Sequence, residues 1–527
     1  MRTAIARWTT LGKEPSFLLF ALMVIAFIVW RGALLDVPFY WDEAWVYAPA
    51  VQAMIEHGPS LLPDAIPVDL SRGHPLLFHA TAALWGTLFG HGPLALHAFA
   101  LTVALILLMA VYGVTRSLTN GTMAVAAVAL VLGHEGFLAQ SGLLLPELFL
   151  ALWMVLAVHA VACLRWWTYA LFGSLALLTK ESALALVAGV LAWAVLGLLR
   201  KRGKEQLLAL LAALVPAAVL AAFYAVQYGM HGWVFFPDHV DLISLSFKDM
   251  AYKARLIFSA LFEEQGRLPL GFVLTMLPLV LLRTIPLWRR LLCMVLCIAV
   301  IKALWGRWPI PFVPEPLSSL LLVALIVFLY PIHLNGVQDT PSTRWVVLAW
   351  TVVIAFWSLS AMNFYTDRYL LPLVPVIMVG GALALSAVDH RGPSWLPAAV
   401  LVGCAVLQFA RIGADDKVGD TRLSYLDAIA CDQALVDHVN RIGPQAGRIT
   451  ADEMQAFYLS QPAAGYQTTG HSVPVHSPID PAQSDLVILT STTSGSAKEL
   501  VEGLGWVSVF RHEQGHAWVE VRGPARP

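Results

Sequence analysis

Two adjacent carboxylates, Asp42 and Glu43, follow the first long apolar run of the sequence and stand among aromatic residues at 40–47. Adjacent carboxylates repel each other, and apolar neighbours disfavour the charged form, so the pair has the tuning that a general base uses. The same residues also suit a simple helix start, since acids favour a first turn and Trp and Tyr favour a membrane surface. The residue types alone leave both interpretations open.

Other ionisable residues also stand beside apolar runs. Glu147 follows three leucines and a proline, an order that commonly starts a helix, but an acid in apolar surroundings needs a partner. Lys180 and Glu181 stand between two apolar runs and could simply pair with each other. Arg368 precedes a later run, where it could reach lipid headgroups or hold an anion with two hydrogen bonds. Each residue is a candidate for function with an ordinary structural alternative.

The composition is that of a chain solvated by lipid. Of the 527 residues, 58% are hydrophobic and only 13% are charged, against about 25% in soluble domains. The net charge of −1 gives no reason to expect a nucleic-acid partner. The five cysteines indicate neither a disulfide framework nor a metal site, because four of them lie in apolar runs. A membrane protein is therefore expected.

Apolar runs near the ~20 residues of a spanning helix recur up to position 411. Bulky residues follow the first run where a signal peptide would have a cleavage site, so we expect it to be an uncleaved helix. The pattern predicts an all-α polytopic membrane protein of about thirteen transmembrane helices. The runs are 16–35, 94–115, 121–140, 146–164, 206–228, 268–285, 316–334, 345–362, 369–388 and 394–411, with shorter or interrupted ones at 167–179, 182–199 and 291–306.

The charges sort by side when the N-terminus is placed inside. The acids, the long loops 36–93 and 229–267 and the tail from about 412 then share the outer face. Helix-end residues with only structural roles would scatter over both faces, so the convergence of the candidates favours one outward-facing site. Arg and Lys, which mark inner loops, occur at Arg116, Arg165, 200–204, Arg289, Arg290, Arg344 and Arg391.

The tail at 412–527 predicts a small α/β domain on the outer side, separate from a transmembrane domain at 1–411. Its length of about 110 residues is ordinary for a domain. The pattern does not say what this domain does. It predicts helices at 427–441 and 496–503, strands at 448–452 and 485–491, a loop at 461–484 and a strand pair around 513–515.

The order and spacing of these motifs resemble the lipid-linked-sugar glycosyltransferases of the GT-C fold, such as the protein O-mannosyltransferases and the aminoarabinose transferases. The resemblance extends over about residues 17–411. His74 stands where relatives often have lysine, and Glu147 where aspartate is usual. The matching elements are Asp42-Glu43, Tyr47, Met54, Gly58, His74-Pro75, Leu88-Phe89-Gly90, Pro146-Glu147, Thr179-Lys180 and Arg368-Tyr369 with Pro372.

The resemblance implies a hexosyl- or pentosyltransferase that moves one sugar from a polyprenyl phosphate to a hydroxyl of an envelope lipid, glycan or protein, with inversion. Asp42 would be the base, and Glu43 and Glu147 would position the acceptor or hold a cation. No metal is assigned, although paired acids could hold a divalent cation. The residues expected to bind substrate are Tyr47, His74, Glu147, Lys180, Arg368 and Tyr369.

The expected location is a bacterial inner membrane, with the site and tail facing the periplasm or exterior. Two other classes of function stay open. A transporter or lipid flippase would need ionisable residues deep within helices and inverted repeats; Lys302 is the main candidate, and no repeat is visible. A non-catalytic membrane scaffold, whose tail recognises a partner, is the third interpretation.

Overall fold

A computed structural model describes most of the chain. The description covers residues 14–200, 203–271, 339–386, 393–443, 447–467, 474–493 and 495–525. The predicted runs at 291–306 and 316–334, and all but the first four residues of the run at 268–285, lie outside the described residues. So do Lys302 and the inner-loop residues Arg289, Arg290 and Arg391. The number of thirteen transmembrane helices therefore stays a prediction.

The described part of residues 1–411 is helical. Five of its helices, those at Pro15–Gly32, Pro93–Leu118, Glu181–Leu199, Lys204–His231 and Pro341–Met362, are long and apolar enough to cross a membrane. The chain is thus an integral membrane protein by the length and composition of these helices. The helices are α1 (Pro15–Gly32), α2 (Ala48–His57), α3 (Leu77–Phe89), α4 (Pro93–Leu118), α5 (Gly121–Leu132), α6 (Glu135–Gln140), α7 (Glu147–Ala162), α8 (Trp166–Thr179), α9 (Leu184–Arg200), α10 (Lys204–His231), α11 (Phe247–Phe262), α12 (Pro341–Met362), α13 (Leu373–Ser386) and α14 (Leu396–Phe409).

The predicted run at 121–140 is two helices. Helix α5 ends before Gly133, and α6 begins at Glu135 and ends at Gln140. Gly133 packs against α14, where an added Cβ would lie 3.2 Å from the carbonyl oxygen of Ala405. The chain then turns through residues 141–146 before α7 starts. This turn lies beside the Asp42 segment, because the backbone N–H of Leu144 donates to Glu43.

The two ends of the helices differ in the charges they present. At one end, Arg116 of α4 pairs with Glu14 at 2.7 Å, and Arg344 of α12 donates to the carbonyl of Ala162, 3.1 Å away. The candidate site residues lie at the other end. Glu147 is the first residue of α7 and Ala162 is its last, so the two residues lie at opposite ends of that helix. This is the segregation that the charge pattern predicts, and the side of the membrane that each end faces stays a prediction.

The long loop 36–93 is folded. A π-helical turn at Glu43–Tyr47 leads directly into α2, and a helical turn at Val68–Ser71 precedes α3. Gly58 and Gly90 follow α2 and α3 with φ of +92° and +98°. Glycine adopts this backbone region readily, so each residue ends its helix without strain.

The tail contains three helices and five strands. They are α15 (Tyr425–Ile442), β1 (Ile449–Thr450), α16 (Glu453–Ser460), β2 (Val475–His476), β3 (Leu486–Thr490), α17 (Gly495–Gly503), β4 (Val507–Gln514) and β5 (Ala517–Gly523). The strands form one sheet with the order β2-β1-β3-β5-β4. Strand β1 pairs in parallel with β2 and β3, and β5 pairs antiparallel with β3 and β4. The predicted strands and helices are present, but α16 and the strand β2 inside the predicted loop were missed because both are short.

The tail is packed onto the loop 36–93. Tyr425 and Tyr458 belong to the same buried cluster as Phe39 and Tyr40. The backbone N–H of Phe39 donates to the carbonyl of Ala464, 3.1 Å away. The tail therefore holds the chain immediately before Asp42.

Candidate active site

Asp42 lies at the start of the π-helical turn Glu43–Tyr47, directly after a strained residue. Trp41 has φ of +52°, a region that is unfavourable for a bulky residue by about 1–3 kcal/mol. The Trp41 N–H donates to the hydroxyl of Tyr458 at 2.8 Å, which holds this backbone in place. The Asp42 side chain makes no capping hydrogen bond. It accepts one from Nε1 of Trp45 at 3.0 Å and pairs with Arg368. The helix-start explanation therefore does not account for Asp42.

Arg368 stands at the centre of the site, in a short 3-10 turn just before α13. Its Nη2 donates to Oδ2 of Asp42, and its Nη1 donates to Oδ2 of Asp420 at 2.7 Å. Its Nε lies 3.7 Å from Oε1 of Glu147. The side chain is only 7% exposed. Three carboxylates from three distant parts of the chain therefore meet at one buried guanidinium.

Lys180 supplies a second cation on the same carboxylate. It lies in the break between α8 and the 3-10 turn Glu181–Ala183. Its Nζ donates to Oε1 of Glu147 at 2.9 Å and lies 4.0 Å from the ring centroid of Tyr369. The other oxygen of Glu147, Oε2, is buried and has no hydrogen-bond partner among the described residues. Two cations thus flank a carboxylate with one oxygen unused.

The charges of the cluster affect its acid groups differently. Burial disfavours the charged form of Asp42, but the neighbouring Arg368 guanidinium and the Trp45 hydrogen bond outweigh burial and lower the pKa of this carboxyl. Burial raises the pKa of Asp420, and Arg368 offsets only part of that effect. Burial would lower the pKa of Arg368, yet its carboxylates raise it well above the ordinary value. Arg368 therefore stays charged, and Asp420 is the less favoured of the two aspartate charges.

Glu43 lies behind Asp42 in a separate network. It is fully buried. Its Oε1 accepts from the backbone N–H of Leu144 at 2.5 Å, and its Oε2 accepts from that of Tyr40 at 3.1 Å. His97 Nε2 lies 2.9 Å from Oε1. Among the ion pairs of the described residues, Glu43 pairs with neither of the two site cations. This geometry fixes the loop to α4 and to the turn at 141–146, which in turn fixes Asp42.

His74 and Tyr47 lie at the edge of the cluster. His74 Nδ1 is 2.9 Å from Oε2 of Glu181, so Lys180 and Glu181 make separate ion pairs and the idea that they pair with each other is wrong. The ring of Tyr47 stacks on His79 at 5.6 Å between centroids. The structure brings together Asp42, Glu147, Lys180, Arg368 and Tyr369; it places Glu43, His74 and Tyr47 beside this group.

Sequence reasoning missed Asp420 and His97. Asp420 follows a glycine in the segment that connects α14 to α15, where an acid looks like an ordinary turn residue. The sequence did place Asp420 after the end of α14, on the side where the other candidate residues were expected, and this position could have suggested a role in the site. His97 lies in the first turn of α4, and nothing in its local sequence indicates that it contacts a residue 54 positions earlier.

The described residues contain no group of three or more His, Cys, Asp or Glu side chains that could hold a metal ion. The paired acids of the site instead contact arginine, lysine, histidine and backbone N–H groups. The expectation that no metal is needed stays a prediction.

The architecture is similar to that of a known enzyme over nearly the whole chain. The crystal structure of ArnT from Cupriavidus metallidurans bound to undecaprenyl phosphate matches with a TM-score of 0.51 at 12% sequence identity, covering 96% of this chain and 97% of that one. The archaeal oligosaccharyltransferase AglB from Archaeoglobus fulgidus, in complex with an inhibitory peptide and a dolichol-phosphate, gives a TM-score of 0.43 at 13% identity, covering 86% of this chain and 64% of that one.

The first of these similarities defines the fold. The chain has the GT-C glycosyltransferase fold, which confirms the fold that the motifs indicated. At 12% identity the match does not extend to the reaction. The sequence matches no protein-family model and no curated protein.

Proposed function

We propose that this protein is a membrane glycosyltransferase that moves a single sugar from a polyprenyl-phosphate donor to a hydroxyl group of an envelope lipid, glycan or protein. The observation that carries the proposal is the direct contact between the Asp42 carboxylate and the Arg368 guanidinium. Lys180 reaches the same group through Glu147. A base and a paired cation site at one point match the needs of this reaction.

The two cations would bind the donor phosphate. Arginine holds phosphate oxygens through two N–H groups, and lysine adds a compact charge. When the bond between the sugar C1 and the phosphate oxygen breaks, its electron pair moves to the phosphate, whose negative charge grows. Arg368 and Lys180 would stabilise that charge, which is usually a large part of catalysis. Glu147 keeps both cations in place through its shared Oε1.

Asp42 would take the proton of the acceptor hydroxyl. The acceptor oxygen forms a bond to C1 on the face opposite the leaving phosphate, so the configuration inverts, and the proton passes to the Asp42 carboxylate. The pairing with Arg368 lowers the pKa of Asp42, which makes it a weak base. The negative charge of a phosphate bound to the same Arg368 would raise the pKa of Asp42. Donor binding would in this way prepare the base.

The remaining predicted residues have positions that suit supporting roles. Glu43 positions the loop of Asp42 through Leu144 and His97. His74 and Tyr47 border the site on the side of the outer loop, where an acceptor would approach. The similarity to an ArnT structure that contains undecaprenyl phosphate supports a lipid-linked donor for this chain.

The decisive test is transfer by the purified protein in lipid nanodiscs. A panel of undecaprenyl-phosphate sugars is supplied with envelope glycolipid, glycan and peptide acceptors, and products are identified by mass spectrometry. Envelope extracts of cells with and without the protein identify the sugar. We expect a new glycosidic bond with wild-type protein and none with Asp42→Asn. Movement of lipid across the bilayer without any new bond would instead establish a transporter.

We further propose a bacterial inner-membrane location with the N-terminus inside and the site and tail outside. The exposed Gly495 and the inner-loop Gly203 offer positions for single cysteines, since an added side chain at Gly495 meets no atom within 4 Å. A membrane-impermeant maleimide applied to intact spheroplasts should label Gly495→Cys and leave Gly203→Cys unlabelled until lysis. Labelling of both variants from one side would overturn this topology.

A further inference from the structure

Asp420 brings a residue of the tail region into direct contact with the site. It lies between α14 and α15, outside the helices, and its side chain is 14% exposed. Its Oδ2 accepts from Nη1 of Arg368 at 2.7 Å. Neither the proton transfer to Asp42 nor the stabilisation of the leaving phosphate proposed above involves Asp420. The contact between Asp420 and Arg368 therefore needs a separate explanation.

Carboxylates hold two of the three nitrogens of the Arg368 guanidinium. One edge of the guanidinium is formed by Nη1 and Nη2, which hold Asp420 and Asp42. The other edge is formed by Nη2, which holds Asp42, and by Nε, which lies 3.7 Å from Glu147 and makes no hydrogen bond among the described residues. A phosphate that binds through two N–H groups of Arg368 must therefore displace a carboxylate.

Of the three carboxylates, Asp420 is the one that can leave. Asp42 is needed at the reaction as the base. Glu147 is 1% exposed, sits in the first turn of α7 and is held by Lys180. Asp420 is on a non-helical segment, and burial together with the charges of Asp42 and Glu147 raises its pKa. Of the two aspartates on Arg368, Asp420 is the one whose pKa is raised and Asp42 the one whose pKa is lowered.

We propose that Asp420 is a positioning residue that occupies the phosphate-binding edge of Arg368 before the lipid donor binds and is displaced by the phosphate of that donor. This inference rests on the proposed function. Arg422, two residues further on, pairs with Glu264 at 3.0 Å and with Asp367 at 3.5 Å, both outside the segment 413–424. These pairs hold the end of the segment at Arg422 while the residues around Asp420 are released. The tail region would thus report whether a lipid phosphate is bound.

Binding of undecaprenyl phosphate to the purified full-length protein tests this competition, with undecaprenol as the control for the prenyl chain alone. Asp420→Asn removes the competing charge at almost constant size, so we expect binding tighter by about tenfold or more. Asp420→Glu keeps the charge and should bind like wild type. Asp415→Asn, on the same segment but paired with Arg422, should also bind like wild type. Undecaprenol affinity should be equal in all four proteins.

Hydrogen exchange on the wild-type protein gives a second measurement that depends on no variant. Undecaprenyl phosphate should increase deuterium uptake in peptides that cover 413–424, and undecaprenol should not. Unchanged or weaker phosphate binding by Asp420→Asn, or no change in exchange when wild type binds, would overturn the role of Asp420 and leave the proposed function standing. If wild type and all variants fail to bind undecaprenyl phosphate, the proposed function falls as well.

Discussion

Arg368 and Arg422 are both buried arginines that pair with three carboxylates each, yet their surroundings differ. The carboxylates of Arg368 are drawn from the first outer loop, the start of α7 and the tail segment. Those of Arg422 connect the loop at 263–267 and the turn before α13 to the same tail segment. The partners of Arg368 are Asp42, Glu147 and Asp420, and those of Arg422 are Glu264, Asp367 and Asp415.

The difference lies in what accompanies each arginine. Beside Arg368 a second buried cation, Lys180, pairs with one of the same carboxylates, Glu147, whose Oε2 has no partner among the described residues. The buried cation near Arg422, Arg267, instead donates to the side chain of Gln265 and the carbonyl of Ala260. The acids around Arg422 are 25–31% exposed, and Glu264 also pairs with the exposed Lys417 at 3.2 Å. Partly exposed pairs of this kind contribute little energy. A ring of acids around an arginine is therefore not enough to propose an active site; the proposal rests on the second paired cation and the free carboxylate oxygen beside Arg368.

The largest effect that separates the two clusters should come from their aspartates. Asp42→Asn keeps the size and the hydrogen bonds of the side chain but cannot take a proton, so sugar transfer should fall by at least about 10²–10⁴-fold. Asp415→Asn should change transfer by no more than about threefold, as is usual for partly exposed pairs. Transfer from a polyprenyl-phosphate sugar by matched amounts of folded protein measures both. Near-wild-type transfer by Asp42→Asn would remove the base from the mechanism.

The next largest difference in activity should come from substitutions of the two arginines. Arg368→Lys keeps the charge but loses the planar edge that holds a phosphate through two nitrogens. We expect kcat/KM for the donor to fall by about 10–100-fold, the equivalent of one charged hydrogen bond. Arg422→Lys should alter kcat/KM by no more than about threefold and lower the thermal unfolding temperature, since its pairs hold segments together. Equal losses of kcat/KM in both variants would mean that the two clusters do not differ in function.

The smallest effect on transfer concerns the two adjacent acids of the outer loop. Glu43→Gln places an amide NH2 against one of the two backbone N–H groups, that of Leu144 or that of Tyr40, so it should lower the free energy of unfolding by about 1–3 kcal/mol. Transfer should fall less than in Asp42→Asn, because the base is still present. Thermal unfolding in detergent and the same transfer assay measure the two effects. Full loss of transfer with unchanged unfolding would make Glu43 part of the chemistry.

The sequence alone predicted the candidate residues that lie at helix ends and the end of the helices at which they lie. Glu147, Lys180 and Arg368 each interrupt or begin an apolar run, and the sorting of charges places all three at one end of the helices. Periodicity and charge carry that information because the lipid constrains every spanning residue. The contact between Lys180 and Glu147 follows from their shared depth, although the sequence left Lys180 free to pair with Glu181 instead.

The rest of the site depends on packing between segments that are far apart in the chain. Asp420 reaches Arg368 only because the tail sheet sits on the outer loop, and no local pattern reports such docking. Glu43 looked equivalent to Asp42 in the sequence, yet the π-helical turn directs the two side chains into different networks. The short elements β2 and α16 were missed for the same reason, since tertiary contacts and not their own residues stabilise them.

The hydrogen bond from Trp41 to Tyr458 joins residues 417 positions apart. At the usual rate of synthesis of about 5–20 residues per second, the ribosome makes the strained backbone beside Asp42 tens of seconds before it makes the residue that holds it. A nascent chain that already spans the membrane therefore lacks the contact that holds the backbone beside Asp42. Under the proposed function, the protein would become competent only once the residues around Tyr458 have been made and folded, which would protect lipid-linked sugars from partly assembled copies.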